Sequence, residues 1–156
     1  MVIREYREDD CSAVTAIFVD AVILTGLRGY SPEQVKVWAA SGASDDVTRV
    51  RCRDGRLVLV AVDDDDRAIA FIDLEEDGHI DMLFCRPERT GRGIASVLYE
   101  KLEHIVRARS MSRLYVEASE IAKPFFAREG FALLRRSDFE MEGIAVHSYP
   151  MEKHLP

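Results

Sequence analysis

A chain of 156 residues, 47% of them hydrophobic, has the length for one compact core, and its formal net charge of -7 disfavours the broad phosphate-backbone binding that clustered Lys and Arg support. Three cysteines, Cys11, Cys52 and Cys85, are odd in number and lack CxxC spacing, so reduced thiols are expected rather than a zinc knuckle or a disulfide framework. The acidic start MVIREYREDD lacks the apolar centre of a signal peptide and no apolar run approaches membrane-spanning length, which points to a soluble, cytoplasmic protein with a basic or small neutral partner, neither nucleic acid nor membrane.

Residues 2–6 alternate as a first strand, and Asp9-Asp10 supplies N-cap chemistry for a helix that turns Val14, Ile17, Phe18, Ala21 and Val22 inward. Gly26 and Gly29 break that pattern. Ser31-Pro32-Glu33-Gln34 then reads as an N-cap with proline at the first helical position, opening a second helix with Val35 and Trp38 inward. Asp45-Asp46 starts a further short helix, ended by the turn chemistry of Asp54-Gly55.

Two β-rich runs, 57–62 and 69–74, flank the polar segment 63–66, a solvated hairpin loop rather than a metal site. A third run, 79–86, follows the Asp77-Gly78 turn and completes an antiparallel meander. The period then changes. Ile94, Val97, Leu98, Leu102, Ile105 and Val106 form the stripe of an amphipathic helix over 91–107. A strand at 114–116, a helix at 121–129 ended by Gly130, and strands at 131–134 and 144–151 complete the order β-α-α-β-β-β-α-β-α-β-β. That order predicts a mixed α/β (α+β) domain spanning residues 1–156, with one strand-helix-strand crossover.

The segment 90–96 joins a strand to the amphipathic helix. Its glycines let backbone N–H groups converge, and the helix's positive end favours a pyrophosphate that Arg89 and Arg92 can also contact. Ser96 stands where the dinucleotide pattern GxGxxG needs a third glycine, and the GK[ST] of a P-loop is absent. Alone, the turn also fits an ordinary strand-to-helix connection.

Leu83-Phe84-Cys85-Arg86-Pro87-Glu88 followed by Gly91-Arg92-Gly93-Ile94-Ala95 resembles motif A of the GNAT N-acetyltransferase superfamily. Ala122, Phe125, Phe126, Gly130 and Phe131 resemble its later signature, and HSYPMEKHL at 147–155 its terminal strand. IDMLF, AKPFF and YSPEQ with Trp38 are similar to the YafP-like branch. The resemblance covers essentially the whole chain. It implies a mixed, mostly antiparallel central sheet flanked by helices. It also implies acetyl-CoA as acyl donor, held by Leu83, Phe84, Cys85, Arg89, Thr90, Gly91, Arg92, Gly93, Ile94, Ala95, Ser96 and Phe126. The acceptor would be an amine of a small molecule or peptide; a coenzyme A-binding regulatory module is the alternative. No motif encodes the acceptor's identity or the oligomeric state, a homodimer being one option.

Two departures stand out. With the motif A glycine aligned on Gly93, Thr90 occupies a position that is usually Arg or Gln and offers a hydroxyl and an N–H instead. Ser119 and Phe126 stand where many relatives carry Asn and a proton-donating Tyr. For the chemistry, an amine of pKa about 10.4 must shed a proton before it attacks. Asp81, placed like the catalytic glutamate of some members, is the candidate base through a water, with Ser119 as a second catalytic candidate; the other reading of Asp81 is a strand-edge carboxylate paired with Arg. His79 and His147 are alternative bases by intrinsic pKa. N–H groups around Phe84 and Cys85 are the oxyanion donors if that strand bulges or splays, and Cys85 packs beside pantetheine rather than carrying the acyl group. Tyr30, Glu33 and Trp38 are the candidate acceptor-site residues. Their other reading is core packing for Trp38 and a first-turn helix charge for Glu33.

Overall fold

The computed structural model describes residues 1–156. The leading alternation becomes β1 (Val2–Glu5), paired antiparallel with β2 (Leu57–Val62), which pairs in turn with β3 (Ala68–Leu74). β2 and β3 are buried almost end to end, and both are unbroken apolar runs because each of their faces is covered. One face packs on α1 (Cys11–Thr25) through Ile17, Phe18 and Val22. The other packs on α4 (Ile94–Ala108) through Leu98, Tyr99 and Leu102. Each such fully buried side chain contributes about 1.5–3 kcal/mol.

The stretch Glu8–Arg28 contains an 18-residue window of mean hydropathy 1.7, long and apolar enough by composition to cross a membrane. This corrects the expectation that no apolar run approaches that length. Half of the window is buried inside the fold, and the Asp10 carboxylate at its start takes two hydrogen bonds from the Arg4 guanidinium, at 2.8 and 3.0 Å. α2 (Pro32–Ala40) begins with the anticipated cap: Ser31 Oγ accepts the Gln34 N–H at 3.1 Å, and Gln34 Oε1 accepts the Ser31 N–H at 2.9 Å. α3 (Asp45–Cys52) is capped by Ser44, one residue before the aspartate pair.

The run 79–86 does not form one strand. Only β4 (Leu83–Cys85) pairs with β3, because the buried Asp73 carboxylate on β3 accepts the N–H groups of Asp81 (2.9 Å) and Met82 (2.8 Å) and displaces the ladder there. Residues 78–80 cross instead to β5 (Arg113–Ala118). The Ile80 N–H donates to the Tyr115 carbonyl at 2.9 Å, and the Tyr115 N–H to the Gly78 carbonyl at 3.1 Å, a parallel bridge. Gly78 is required for this approach: its φ is +95°, and a β-carbon would collide with the Arg113 carbonyl.

The mostly antiparallel sheet is therefore split in two at this bridge. One half runs β1-β2-β3-β4. The other runs β5-β8-β6, where β6 is Ala132–Leu133 and β8 is Ile144–His154. α5 (Lys123–Arg128) lies between β5 and β6 in the chain. A strand absent from the sequence reading, β7 (Ser137–Met141), forms a hairpin with β8 through Glu142 (φ 47°) and Gly143 (φ 77°).

The split leaves the outer edge of β4 open. The Asp73 N–H donates to the Met82 carbonyl and the Arg86 N–H to the Ile69 carbonyl, so even-numbered residues face β3. Leu83 and Cys85 consequently turn their N–H and C=O groups into the gap.

Candidate active site

Beyond β4, a 3-10 turn at Pro87–Arg89 leads into the glycine segment and α4, which starts at Ile94, three residues later than expected. Gly91 (φ 74°) and Gly93 (φ 79°) are left-handed, and a β-carbon on either would meet nothing within 4 Å. The first helical bond runs from the Val97 N–H to the Gly93 carbonyl, and no side chain caps the helix. The N–H groups of residues 91–96 are thus six consecutive donors without a partner in the protein. Arg89 and Arg92 flank them, and neither is in a salt bridge. Donors, positive dipole end and free guanidinium groups together suit an anionic ligand. Thr90 is the exception: its N–H (3.3 Å) and its hydroxyl (2.9 Å) both donate to the Pro87 carbonyl, which removes it from the donor set.

Where the sheets part lies a cavity of about 440 Å³. Leu83, Phe84, Asp81, Ser119, Phe126, Tyr30 and Trp38, all among the candidate site residues, line it. Glu33 does not; it sits on the exposed first turn of α2, as the helix-charge reading has it. Ser119 Oγ accepts the Ala122 N–H at 3.0 Å, which caps the turn into α5 and leaves the hydroxyl proton free. Phe126 is 2% exposed and packs edge-on against Phe125 and Phe131.

Asp81 is not a free carboxylate. Its Oδ2 is 3.1 Å from Arg56 Nη1 and 3.3 Å from Arg51 Nη1, the arginine-paired reading; Oδ1 has no partner. Arg51 Nη1, although this close to Asp81, is not aligned for a hydrogen bond and remains a buried donor without an acceptor. His79 is excluded as a base at neutral pH. Its Nε2 is hydrogen-bonded to Glu117 and its Nδ1 to Glu75 at 2.9 Å, and Glu117 above all raises its pKa to about 9, so both nitrogens hold protons.

Residues 27–155 match the model of the acetyltransferase (GNAT) domain. The chain belongs to the GNAT acetyltransferase family. It is 36% identical to the uncharacterized N-acetyltransferase YafP of Escherichia coli (strain K12) over 141 residues, covering 90% of this chain and 87% of that protein. It also superimposes on a GCN5-related N-acetyltransferase from Rhodopseudomonas palustris with a TM-score of 0.91 at 30% identity, over 99% of this chain and 95% of that one. The fold is shared with the PaiA N-acetyltransferase of Thermoplasma acidophilum, crystallised with coenzyme A (TM-score 0.76, 20% identity, 99% and 98% covered).

Within this GNAT site, several residues escaped the sequence reading. Arg51 and Arg56 reach Asp81 from α3 and the start of β2, and Ser137, Phe139 and Met141 enter the cavity from β7. Glu142-Gly143 between two alternating runs was the available signal for β7. Nothing local marks the arginines. The Cys85 thiol is pushed up from its ordinary pKa, chiefly by burial, and so stays protonated.

Proposed function

We propose that the chain transfers an acetyl group from acetyl-CoA directly to an amine of a small molecule or a peptide. The observation that carries this reading is the run of six unpartnered N–H groups at residues 91–96, which follows β4, the strand whose Leu83 and Phe84 line the cavity. Those groups, with Arg89 and Arg92, would hold the pyrophosphate, and Leu83, Phe84, Cys85 and Phe126 would flank the pantetheine arm. The thioester is the acetyl source, and the N–H groups of Leu83 and Cys85 are the oxyanion donors, rather than that of Phe84, which faces β3. A protonated Cys85 supports direct transfer over an acyl-enzyme.

Coenzyme A bound to the fold-sharing PaiA protein supports the donor assignment. Acetyl-CoA at a hundredfold excess over Kd should stabilise the fold by about 2.7 kcal/mol, whereas adenosine, which lacks the pyrophosphate, should not. Thiol release from acetyl-CoA in the presence of primary amines tests the chemistry. No thermal shift and no turnover would refute the reading; a shift without turnover on any amine would favour a binding module.

A further inference from the structure

One side-chain pair in the cavity is left unused by that reading. His147, on β8, lines the cavity together with Ser119 and Ser148. Its Nε2 lies 2.6 Å from Glu120 Oε2, the length of a charge-assisted hydrogen bond. Its Nδ1 makes no hydrogen bond and is not among the enclosed polar atoms, so it is open. An N–H directed from Nε2 to a carboxylate leaves the lone pair on Nδ1, the tautomer suited to accept a proton.

The pair is held from behind by one hydroxyl. Tyr30 Oη donates to the His147 carbonyl at 3.0 Å and accepts the Glu120 N–H at 2.9 Å, tying together the backbones that carry both partners. The Tyr30 ring packs on the imidazole at 5.1 Å, and Tyr30 is itself buried. Tyr149 stands edge-on to the ring, with Lys123 over its far side. Across the hairpin, Asp138 is in register with His147 and is paired with Arg136. The charged groups on the elements packed about the imidazole are thus Lys123 and Arg136, which are cationic, and Glu120, at Nε2, and Asp138, which are anionic.

We propose that His147, oriented by Glu120 and Tyr30, is the base that takes the proton from the acceptor amine. The assignment rests on the acetyltransferase reading above. The competing groups are engaged elsewhere: both His79 nitrogens face carboxylates, and Asp81 Oδ2 faces two guanidinium groups. As the neutral amine attacks, the N–C bond forms and the C–S bond breaks with its electron pair leaving on sulfur. The amine proton passes to Nδ1 and then to that thiolate, giving amide and free coenzyme A thiol. Tyr30 and Glu120 are positioning residues.

Nitrogen-15 NMR of the histidine rings in the wild type, with His147 assigned by through-bond correlation of its ring to its own backbone, reads the tautomer without any substrate. An Nε2–H tautomer at neutral pH is expected, with the preference weakened in Glu120→Gln; an Nδ1–H tautomer overturns the proposal even if the Gln variant fails to fold. Kinetics with acetyl-CoA and benzylamine, hexylamine or an alanyl dipeptide form the second arm. His147→Gln should lower kcat about 100-fold or more at pH 7 and leave acetyl-CoA affinity within about twofold, while Glu120→Gln costs about tenfold. Undiminished kcat in folded His147→Gln overturns this assignment alone. A wild-type protein inert toward all three amines overturns the acetyltransferase reading and this assignment with it.

Discussion

The donor cradle and the acceptor cavity are built by opposite means. The cradle is local: six N–H groups come from six consecutive residues, Arg89 and Arg92 lie in or beside the same stretch, and at Gly91 and Gly93 the absence of a side chain keeps it open. The cavity is assembled from Phe18 in α1, Arg51 in α3, Asp81 just before β4, Ser119 after β5 and His147 in β8. A ligand group common to many reactions can be held by backbone donors that any sequence supplies once glycines permit the turn. A particular acceptor needs side chains aimed from several elements, and those are free to vary without disturbing the cradle.

The comparison breaks most visibly at Asp73, on which the cavity depends and the cradle does not. Asp73→Ala removes the acceptor for the Asp81 and Met82 N–H groups and one partner of Arg56, held at 2.8 Å. Because Arg56 keeps Asp54 and Asp81, the loss should sit near the low end for a broken buried pair, about 3 kcal/mol by urea unfolding. A loss below about 1 kcal/mol would show that the segment at Asp81 and Met82 holds its place without Asp73. Gly93→Ala probes the other region: the added methyl meets nothing in the protein, so its steric effect falls on an incoming phosphate. Coenzyme A affinity by calorimetry should drop about tenfold, roughly 1.4 kcal/mol, beside a left-handed backbone strain of about 1–2 kcal/mol. Unchanged affinity would move the pyrophosphate away from Gly93.

The same division decides what could be read from sequence. The α4 stripe, the Ser31 cap and the glycine turn were legible because periodicity, capping and left-handed glycine are properties of neighbouring residues. The run 79–86 reads as one strand because its apolar residues are continuous; only the long-range bonds to Asp73 and Tyr115 divide it. β7 is hard to read because its alternation rests on Phe139 and Met141 alone among the polar Ser137, Asp138 and Glu140, and its pairing with β8 outweighs weak propensity. Glu33 lies on the first turn of α2 and outside the cavity, since a helix start fixes a residue's place but not its neighbours.

The smallest effect concerns His79, which sits on the half-strand joining the two sheets and whose partner Glu117 lines the cavity. Its folded pKa of about 9 lies above an unfolded value near 6.5, so the protonated ring contributes stability that is complete below about pH 6.5 and is lost as pH rises through about 9. Glu117 is half exposed, and water screens the pair, which limits the contribution to about 1 kcal/mol or less. Melting temperatures of the wild type and His79→Gln from pH 6 to 10 isolate this contribution, because titration elsewhere is common to both. The wild type should lead at pH 6 and converge on the variant by pH 10. Coenzyme A affinity at the cradle should follow the same course in both proteins, since residues 91–96 share no hydrogen bond with His79. Parallel melting curves would show that the imidazole carries no more charge folded than unfolded, and would return His79 to the list of bases able to act at neutral pH.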